Sequence, residues 1–486
     1  MAQDRAETEH KMFLGGRLKR LRRELGHTQT RMAADLGVSP SYLNHLERNQ
    51  RPMTAQVLLR LAQAYDLDLR AFSGDADKGG EADLQEVFAD PMFRDLPIPR
   101  HEIADLIENA PGASEAVVRL YRTLMDQRRR ESLGLSPALS DEAREAGSEL
   151  TATDWVRDHI QAHRNHFGEL DALGEQIAAD LNAGPHGLEA AAAARLLADW
   201  RIEVRILPVS VMVEYVRKYD PHRRRLLLSE VLDGPARAFA VAYHLGFNEG
   251  GEMLNALVNA ADAPDVASRR LLKVSLTNYL AAAIVMPYAA FHAAAEELGY
   301  DIGLLCARFG ASFEQVCHRL TTLSRAGARG VPFFLIRTDN AGNISKRFAS
   351  SAFPFSRFGG ACPRWNIHAS FKAPGRIVTQ VVETWGDKAR YFTLARTVGR
   401  VTGAYGGSDD AELAVGLGCE LKYAGRLVYA RGLDLAHPAS TEIGPTCRLC
   451  ERPNCRERAA PPITRTLTVD ELAKTVTPFP FAPGPR

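Results

Sequence analysis

Three thiols lie close together near one end of a 486-residue chain: Cys447, Cys450 and Cys455, in a C-x2-C-x4-C spacing. Two cysteines separated by two residues can turn both sulfurs toward one centre, and a third thiolate leaves one coordination position to fill. Two other cysteines can fill it: Cys362, in Gly-Gly-Ala-Cys-Pro, and Cys419, in Gly-Leu-Gly-Cys, where the glycines let the backbone turn closely around a cluster. Four thiolates suit zinc and an iron-sulfur cluster equally by count. Arg448, Arg452, Arg456 and Arg458 stand near enough in sequence to offset their charge.

The rest of the composition frames that chemistry. Seven cysteines are too few for a disulfide framework in a chain this long, and Cys306 and Cys317, in apolar helical sequence, read as core residues. Met1 to Lys11 is charged and has no apolar segment to direct export, so a cytoplasmic location is expected. No run of about 18 uncharged apolar residues predicts a membrane span. At 45% hydrophobic and 24% charged residues the chain is ordinary for a folded protein, and its length predicts two or three domains. The formal net charge of +1 is unevenly spread: Lys11, Arg17, Lys19, Arg20, Arg22, Arg23 and Arg31 crowd the start, as on a phosphate-binding face.

From Phe13 to Phe72 the apolar spacing predicts a bundle of four or five short helices. Phe13, Leu14, Leu18, Leu21 and Leu25 recur at helical intervals and Gly26 ends the first helix. Thr28 caps a second, Gly37 makes a turn, and Ser39 caps a third that runs to Arg48. Thr28-Gln29, Ala33-Ala34, Gly37-Val38-Ser39, Tyr42-Leu43, Leu46-Glu47 and Asn49-x-Arg51-Pro52 resemble the Cro/repressor-like helix-turn-helix of the xenobiotic-response-element family. That resemblance implies double-stranded DNA as a partner. The third helix would lay its start in the major groove, so Ser39, Pro40, Ser41, Tyr42, Asn44 and His45 stand at or beside base edges. Arg17, Gln29, Asn49 and Arg51 would contact the phosphate backbone or position the helix. Such modules read near-palindromes as dimers, so a homodimer or higher homo-oligomer is expected. The helical segment Leu84 to Leu124 is a candidate dimer contact or, equally, a core helix pair.

Gly74 to Ala82 reads as a linker, and Ser132 to Ser148 as a second soft boundary. Ala152 to Gly327 is mostly helical, broken by β-like runs at Glu203–Ile206 and Arg225–Leu228. Within it, Phe239-Ala240-Val241-Ala242-Tyr243-His244-Leu245-Gly246-Phe247 and Asn278 through Pro287 resemble the ImmA/IrrE metallopeptidase-like domain. Active members of that family carry H-E-x-x-H on the first of these helices, with two imidazoles on zinc and the glutamate as base. Here those three positions hold Tyr243, His244 and Phe247, which cannot build that centre. The resemblance therefore carries the fold without the proteolysis, so no enzyme is expected. A stripped, relined cleft suits a small ligand, and the alternative is a cleft simply filled in.

Beyond Val331 short strand-like runs, Phe333–Ile336, Ile377–Val382 and Tyr391–Leu394, predict a sheet, with a mobile Pro-rich end after Pro478. Ala307–Ser312, Val316–Leu320, Gly342–Arg347, the Gly359–Asn366 stretch, Leu427–Tyr429 and the Cys447 cluster together resemble the short-chain fatty-acyl-CoA regulators, bacterial transcription factors of propionate and acetate metabolism. The likeness runs through nearly the whole chain. It implies an acyl-coenzyme A effector and, in some members, an iron-sulfur cluster, which with the Cys362-Pro363 pair favours a 4Fe-4S centre over structural zinc. Coenzyme A brings phosphates, and Arg223 in the His222–Arg225 run, Lys346 and Arg347 are the basic residues near enough in sequence to meet them.

The expected architecture is multidomain and mainly α. It comprises a helix-turn-helix domain (1–74), a linker and helical segment (75–150), a degenerate metallopeptidase-like ligand-binding domain (151–330) and an α+β domain with the cysteine cluster (331–486). The expected function is a DNA-binding regulator controlled by propionyl-CoA or acetyl-CoA. The alternatives are an iron-sulfur redox sensor and a repressor with residual peptidase activity.

Overall fold

The computed structural model describes residues 15–48, 50–65, 83–85, 87–88, 90–93, 96, 98–132, 141–184, 186–349, 353, 361–400, 411–462 and 465–481. Two compact units emerge: Met1–Arg129 with Ala352–Arg357, and Arg130–Ser351 with Phe358–Arg486.

In the first unit, helices α1 (Gly15–Glu24), α2 (Gln29–Asp35), α3 (Pro40–Glu47) and α4 (Ala55–Tyr65) close around Leu18, Met32, Ala33, Leu36, Leu43, Leu46 and Leu61. The Thr28 hydroxyl accepts the Arg31 N–H and the Ser39 hydroxyl accepts the Tyr42 N–H, each satisfying a donor that the first turn leaves free. Gly37, at φ +63°, makes the turn between α2 and α3, and Arg60 donates to the carbonyls of Leu36 and Gly37. Helices α5 (Arg100–Asn109) and α6 (Pro111–Ser132) form a smaller core with Leu84, Val87, Ile103, Ile107 and Val118. The expected linker, Gly74 to Ala82, lies outside the described residues.

Of the expected second boundary, Ser132 to Ser148, residues 133–140 lie outside the described residues, and the rest from Asp141 belongs to α7 (Asp141–Ala162), which packs on the long helix α12. Then follow α8 (Gly168–Leu181), α9 (Leu188–Trp200), β1 (Glu203–Leu207), β2 (Arg217–Asp220), β3 (Arg225–Ser229), α10 (Gly234–Glu249), α11 (Gly251–Ala260), α12 (Val266–Val285), α13 (Tyr288–Glu297), α14 (Ile302–Phe309) and α15 (Phe313–Leu320). The small sheet is ordered β1-β3-β2, parallel across β1 and β3 and antiparallel across β3 and β2.

The C-terminal sheet has six strands: β4 (Phe334–Asp339), β5 (Ile344–Ala349), β6 (Val378–Thr384), β7 (Arg390–Arg400), β8 (Ala411–Glu420) and β9 (Ser440–Ile443). Their order is β5-β4-β8-β7-β6-β9, and β6 with β9 is the parallel pair. A short helix, α16 (Asn366–Ala369), lies on this sheet. One apolar cluster runs from Val156 through the helices to Val381, Phe392, Leu417, Cys419 and Ala430, so residues 151–330 and 331–486 share a core. Helix and strand are both present: helices make up most of the first unit and of residues 151–330, and the larger sheet lies in residues 331–486. Among the described residues no single helix is long and apolar enough to cross a membrane. Helices α12 and α13 pass that test only as a pair bent by 63°, and their apolar residues fill this core.

The end after Pro478 is docked where it is described: Leu467 bridges Phe481 and the Thr468 N–H donates to the Pro480 carbonyl.

Candidate functional site

Three places gather the residues singled out by sequence. The first is the exposed side of α3. Leu43 and Leu46 point into the core, which leaves Ser39, Pro40, Ser41 and His45 exposed and Tyr42 and Asn44 half-buried on the other side. The Gln29 amide, on α2, donates to a Glu47 carboxylate oxygen at 2.7 Å and to the Asn44 side-chain oxygen at 3.4 Å. Glu47 is only 7% exposed and is gripped by Arg22 at 2.5 Å. Burial pushes the Glu47 carboxyl up, but Arg22 and Gln29 outweigh it and hold the group below its ordinary value. A buried ion pair thus fixes α1 to α3, and Gln29 hangs from it to orient Asn44. The Arg51 guanidinium lies 5.9 Å from the Tyr42 ring centre. The Arg17 side chain and Asn49 lie outside the described residues.

The second place is α10. Tyr243 and His244 are buried and Phe247 is 39% exposed, so the three positions that carry H-E-x-x-H in active peptidases form an aromatic edge that opens to solvent at one end. Strand β2 lies against it. Alternation along β2 puts Arg217 and Tyr219 on one face: the Arg217 guanidinium sits 3.6 Å above the Tyr243 ring and the Tyr219 ring is 4.4 Å from that of His244. Burial lowers the pKa of Arg217, an effect that Tyr243 partly opposes. Burial, then the Arg217 charge, push His244 down to about 4, so this imidazole is neutral near pH 7, and its Nε2 is buried without a hydrogen-bond partner. The Lys273 ammonium, on α12, lies 5.0 Å from the Phe247 ring.

The structure does not bring the three predicted phosphate-binding residues to this edge. Arg223 is at the exposed tip of the β2–β3 hairpin, where the Asp220 carboxylate accepts the N–H groups of His222 and Arg223. Lys346 and Arg347 lie on β5 of the other sheet, Lys346 paired with Glu314 at 3.1 Å and Arg347 opposite Ile336. The cation at the aromatic edge is Arg217 instead. The alternation of Tyr215, Arg217 and Tyr219 was the signal that marks it, hidden because so short a strand does not stand out from its neighbours.

The third place is the cysteine corner. Cys362, Cys447, Cys450 and Cys455 lie close enough to influence one another: Cys362 feels Cys450 and Cys447, and Cys450 feels Cys455 and Cys447. Burial raises Cys362 and Cys450, while peptide N–H groups of Gly444 and Arg364 on Cys362, and of Arg452 on Cys450, act the other way. The Ala459 N–H donates to the Cys447 sulfur at 3.4 Å. Gly444 is required, since a Cβ there would stand 2.6 Å from the Cys450 sulfur. Among the described residues no three His, Cys, Asp or Glu side chains close around a single ion position. Cys419 does not join the corner. It is fully buried on β8, opposite Phe392 and inside the apolar core, where burial drives its thiol far up.

One further buried network escaped the sequence entirely. Asp171 on α8 and Arg319 on α15 are both 0% exposed and meet at 2.7 Å. Tyr279 donates to the same carboxylate at 2.8 Å, His166 lies 3.3 Å from it, and Arg319 also donates to the Met286 carbonyl at 3.0 Å. These residues lie more than a hundred positions apart at the extremes, so no local pattern connects them.

Residues 14–71 match a helix-turn-helix domain model, 199–321 the IrrE N-terminal-like domain, and 322–479 the C-terminal domain of short-chain fatty acyl coenzyme A regulators. The chain is 38% identical over 476 residues to the HTH-type transcriptional regulator RamB of Mycobacterium tuberculosis (strain H37Rv), covering 96% of this chain and 98% of that one. It is 37% identical to the regulator PrpR of the same strain, covering 98% and 97%, and 36% identical to a propionyl-CoA carboxylase regulator of Cereibacter sphaeroides, covering 96% and 98%. A solved Mycobacterium tuberculosis transcriptional regulator superposes with a TM-score of 0.63 at 38% identity, over 67% of this chain and 98% of that chain. With a DNA-reading helix at one end, a peptidase-like helix relined by Tyr243 and Phe247 in the middle, and a C-terminal domain of this type, the chain belongs to the short-chain fatty acyl-coenzyme A family of helix-turn-helix transcriptional regulators.

Proposed function

We propose that this regulator binds a short-chain acyl-CoA, propionyl-CoA or acetyl-CoA, and that the ligand sets its affinity for operators of genes in short-chain fatty acid metabolism. The observation that carries this reading is the edge at Tyr243, His244 and Phe247. There a half-buried guanidinium, a neutral imidazole with a free Nε2 and an accessible ring replace a catalytic metal set. An apolar acyl group suits the rings, and a thioester carbonyl or phosphate oxygen suits the N–H edge of Arg217. A relative named for control of propionyl-CoA carboxylase supports the choice of ligand. The protein acts as a homodimer in the cytoplasm, where two copies of α3 read the halves of a near-palindrome. The ligand must bind one conformation better than the other to change operator affinity.

The test is operator binding by protein purified without oxygen and titrated with acetyl-CoA, propionyl-CoA and free CoA. Propionyl-CoA or acetyl-CoA is expected to shift operator affinity at concentrations where free CoA does not. No shift with any of the three would refute the effector.

A second input rests on the cysteine corner, where Cys362, Cys447, Cys450 and Cys455 would hold a 4Fe-4S cluster. The four thiols lie within reach of one another, and Gly444 leaves room for the Cys450 sulfur, an arrangement that supports a centre taking one thiolate from each. Such a cluster supplies one-electron redox chemistry. Brown protein with an absorption shoulder near about 400 nm is expected from anaerobic purification, and colourless protein with stoichiometric zinc would replace iron by zinc at the same residues.

A further inference from the structure

The cysteine corner contains a buried cation, Arg458, that makes no ion pair among the described residues. Arg458 is 3% exposed. Its guanidinium donates to the carbonyl oxygens of Cys447 at 3.2 Å, Cys450 at 2.8 Å and Arg452 at 2.6 Å, so one side chain clasps the loop that carries the three clustered thiols. The Phe481 ring closes the other side, 5.0 Å away. The remaining nitrogen, Nε, is buried and has no hydrogen-bond partner.

The nearby carboxylates are engaged elsewhere: Glu442 by Lys388 at 2.6 Å and Arg452 at 2.8 Å, and Glu451 by Arg465 at 2.7 Å. Carbonyl dipoles satisfy N–H groups but do not cancel a net charge, and a buried charge without a counter-ion is strongly unfavourable. Four neutral thiols supply no such counter-ion. Four thiolates on a metal centre do, because binding removes their protons and leaves the centre net negative. Cys450 touches Arg458 directly, its carbonyl oxygen accepting the guanidinium N–H at 2.8 Å.

We propose that Arg458 is the built-in counter-cation of an anionic four-thiolate metal centre, a positioning residue that both ties the Cys447–Cys455 loop and balances its charge. The proposal rests on the metal-centre reading and adds that metal retention and the charge at position 458 are coupled. An uncharged side chain there leaves the thiolate charge uncompensated and the three carbonyls without donors in their present geometry. A lysine keeps the charge and loses the fork.

The test uses the full chain purified without oxygen, as wild type, R458Q and R458K, with tryptophan fluorescence and circular dichroism as controls of folding. The readouts are the half-time of metal loss to an excess of chelator and, where the metal is iron, the midpoint potential of the centre. R458Q is expected to lose metal roughly tenfold faster than wild type and to move the potential negative. R458K is expected to lose metal at an intermediate rate with a potential near that of wild type. Where R458Q does not fold, R458K decides: metal loss as slow as wild type overturns the proposal. A folded R458Q with wild-type half-time and potential overturns it as well. Wild-type protein that holds neither iron nor zinc overturns the metal centre itself, and the proposal with it, an outcome read without any variant.

Discussion

Replacing Arg319 by methionine tests the buried network that joins α8, α12 and α15. Asp171 and Arg319 are wholly buried and 2.7 Å apart. Without the guanidinium the carboxylate keeps only the Tyr279 hydroxyl and the more distant His166, and the Met286 carbonyl loses its Arg319 donor. Removing one partner of a buried pair costs about 3–5 kcal/mol, a large part of the roughly 5–15 kcal/mol that holds a domain folded. All four tryptophans, Trp155, Trp200, Trp365 and Trp385, belong to the second unit, so tryptophan fluorescence in a urea titration reports on that unit alone. The double variant Asp171→Leu/Arg319→Met removes both charges and should regain most of the loss. A loss below about 1 kcal/mol for Arg319→Met, or a double variant no better than the single one, would refute the reasoning. The pH dependence has a definite sign. Burial pushes the Asp171 carboxyl up, yet Arg319, His166 and Tyr279 together hold it below its ordinary 3.8. Its stabilisation is therefore present above pH 3.8 and is lost as pH falls through the lower folded value, so the Arg319→Met deficit should be full at neutral pH and shrink in acid.

Three other outcomes follow from the geometry. Cys362→Ser should abolish iron or zinc in protein purified without oxygen while Cys419→Ser leaves it in place, and metal analysis showing the opposite pattern would exclude Cys362 as the fourth ligand. Asn44→Ala should weaken binding to the specific operator by about 1–3 kcal/mol and leave non-specific DNA binding unchanged; equal loss on both DNAs would deny it a role in base reading. Gly418→Ala should destabilise the second unit by about 1–3 kcal/mol, because the new Cβ would stand 2.3 Å from the Phe334 ring, and unchanged urea unfolding would show that the ring yields freely.

Much of the local structure is written in the sequence. Thr28 and Ser39 cap the helices that their residue types predict, Gly37 takes the left-handed turn, and the apolar spacing of Leu43 and Leu46 fixes which side of α3 faces out. Strand β8 was less legible. Gly416 and Gly418 look like turn residues, but Ile336 and Ile367 pack against the first and the Phe334 ring against the second, so the glycines admit neighbours at the centre of a sheet. That misreading is what left Cys419 a candidate ligand, since a cysteine in a glycine-rich turn and one in a central strand have the same neighbours in sequence.

By itself the sequence determined the order of parts, the caps and turns of the DNA-reading module, the loss of H-E-x-x-H at Tyr243, His244 and Phe247, and the spacing of Cys447, Cys450 and Cys455. Each depends on residues within a few positions of one another, where helical and turn periodicities apply. Tertiary structure alone decided that Cys362 joins those thiols, that Arg217 rather than Arg223 faces the relined helix, and that Asp171 meets Arg319. These are meetings between distant segments, set by strand order and by the packing of helices on a shared core. No short-range pattern encodes them.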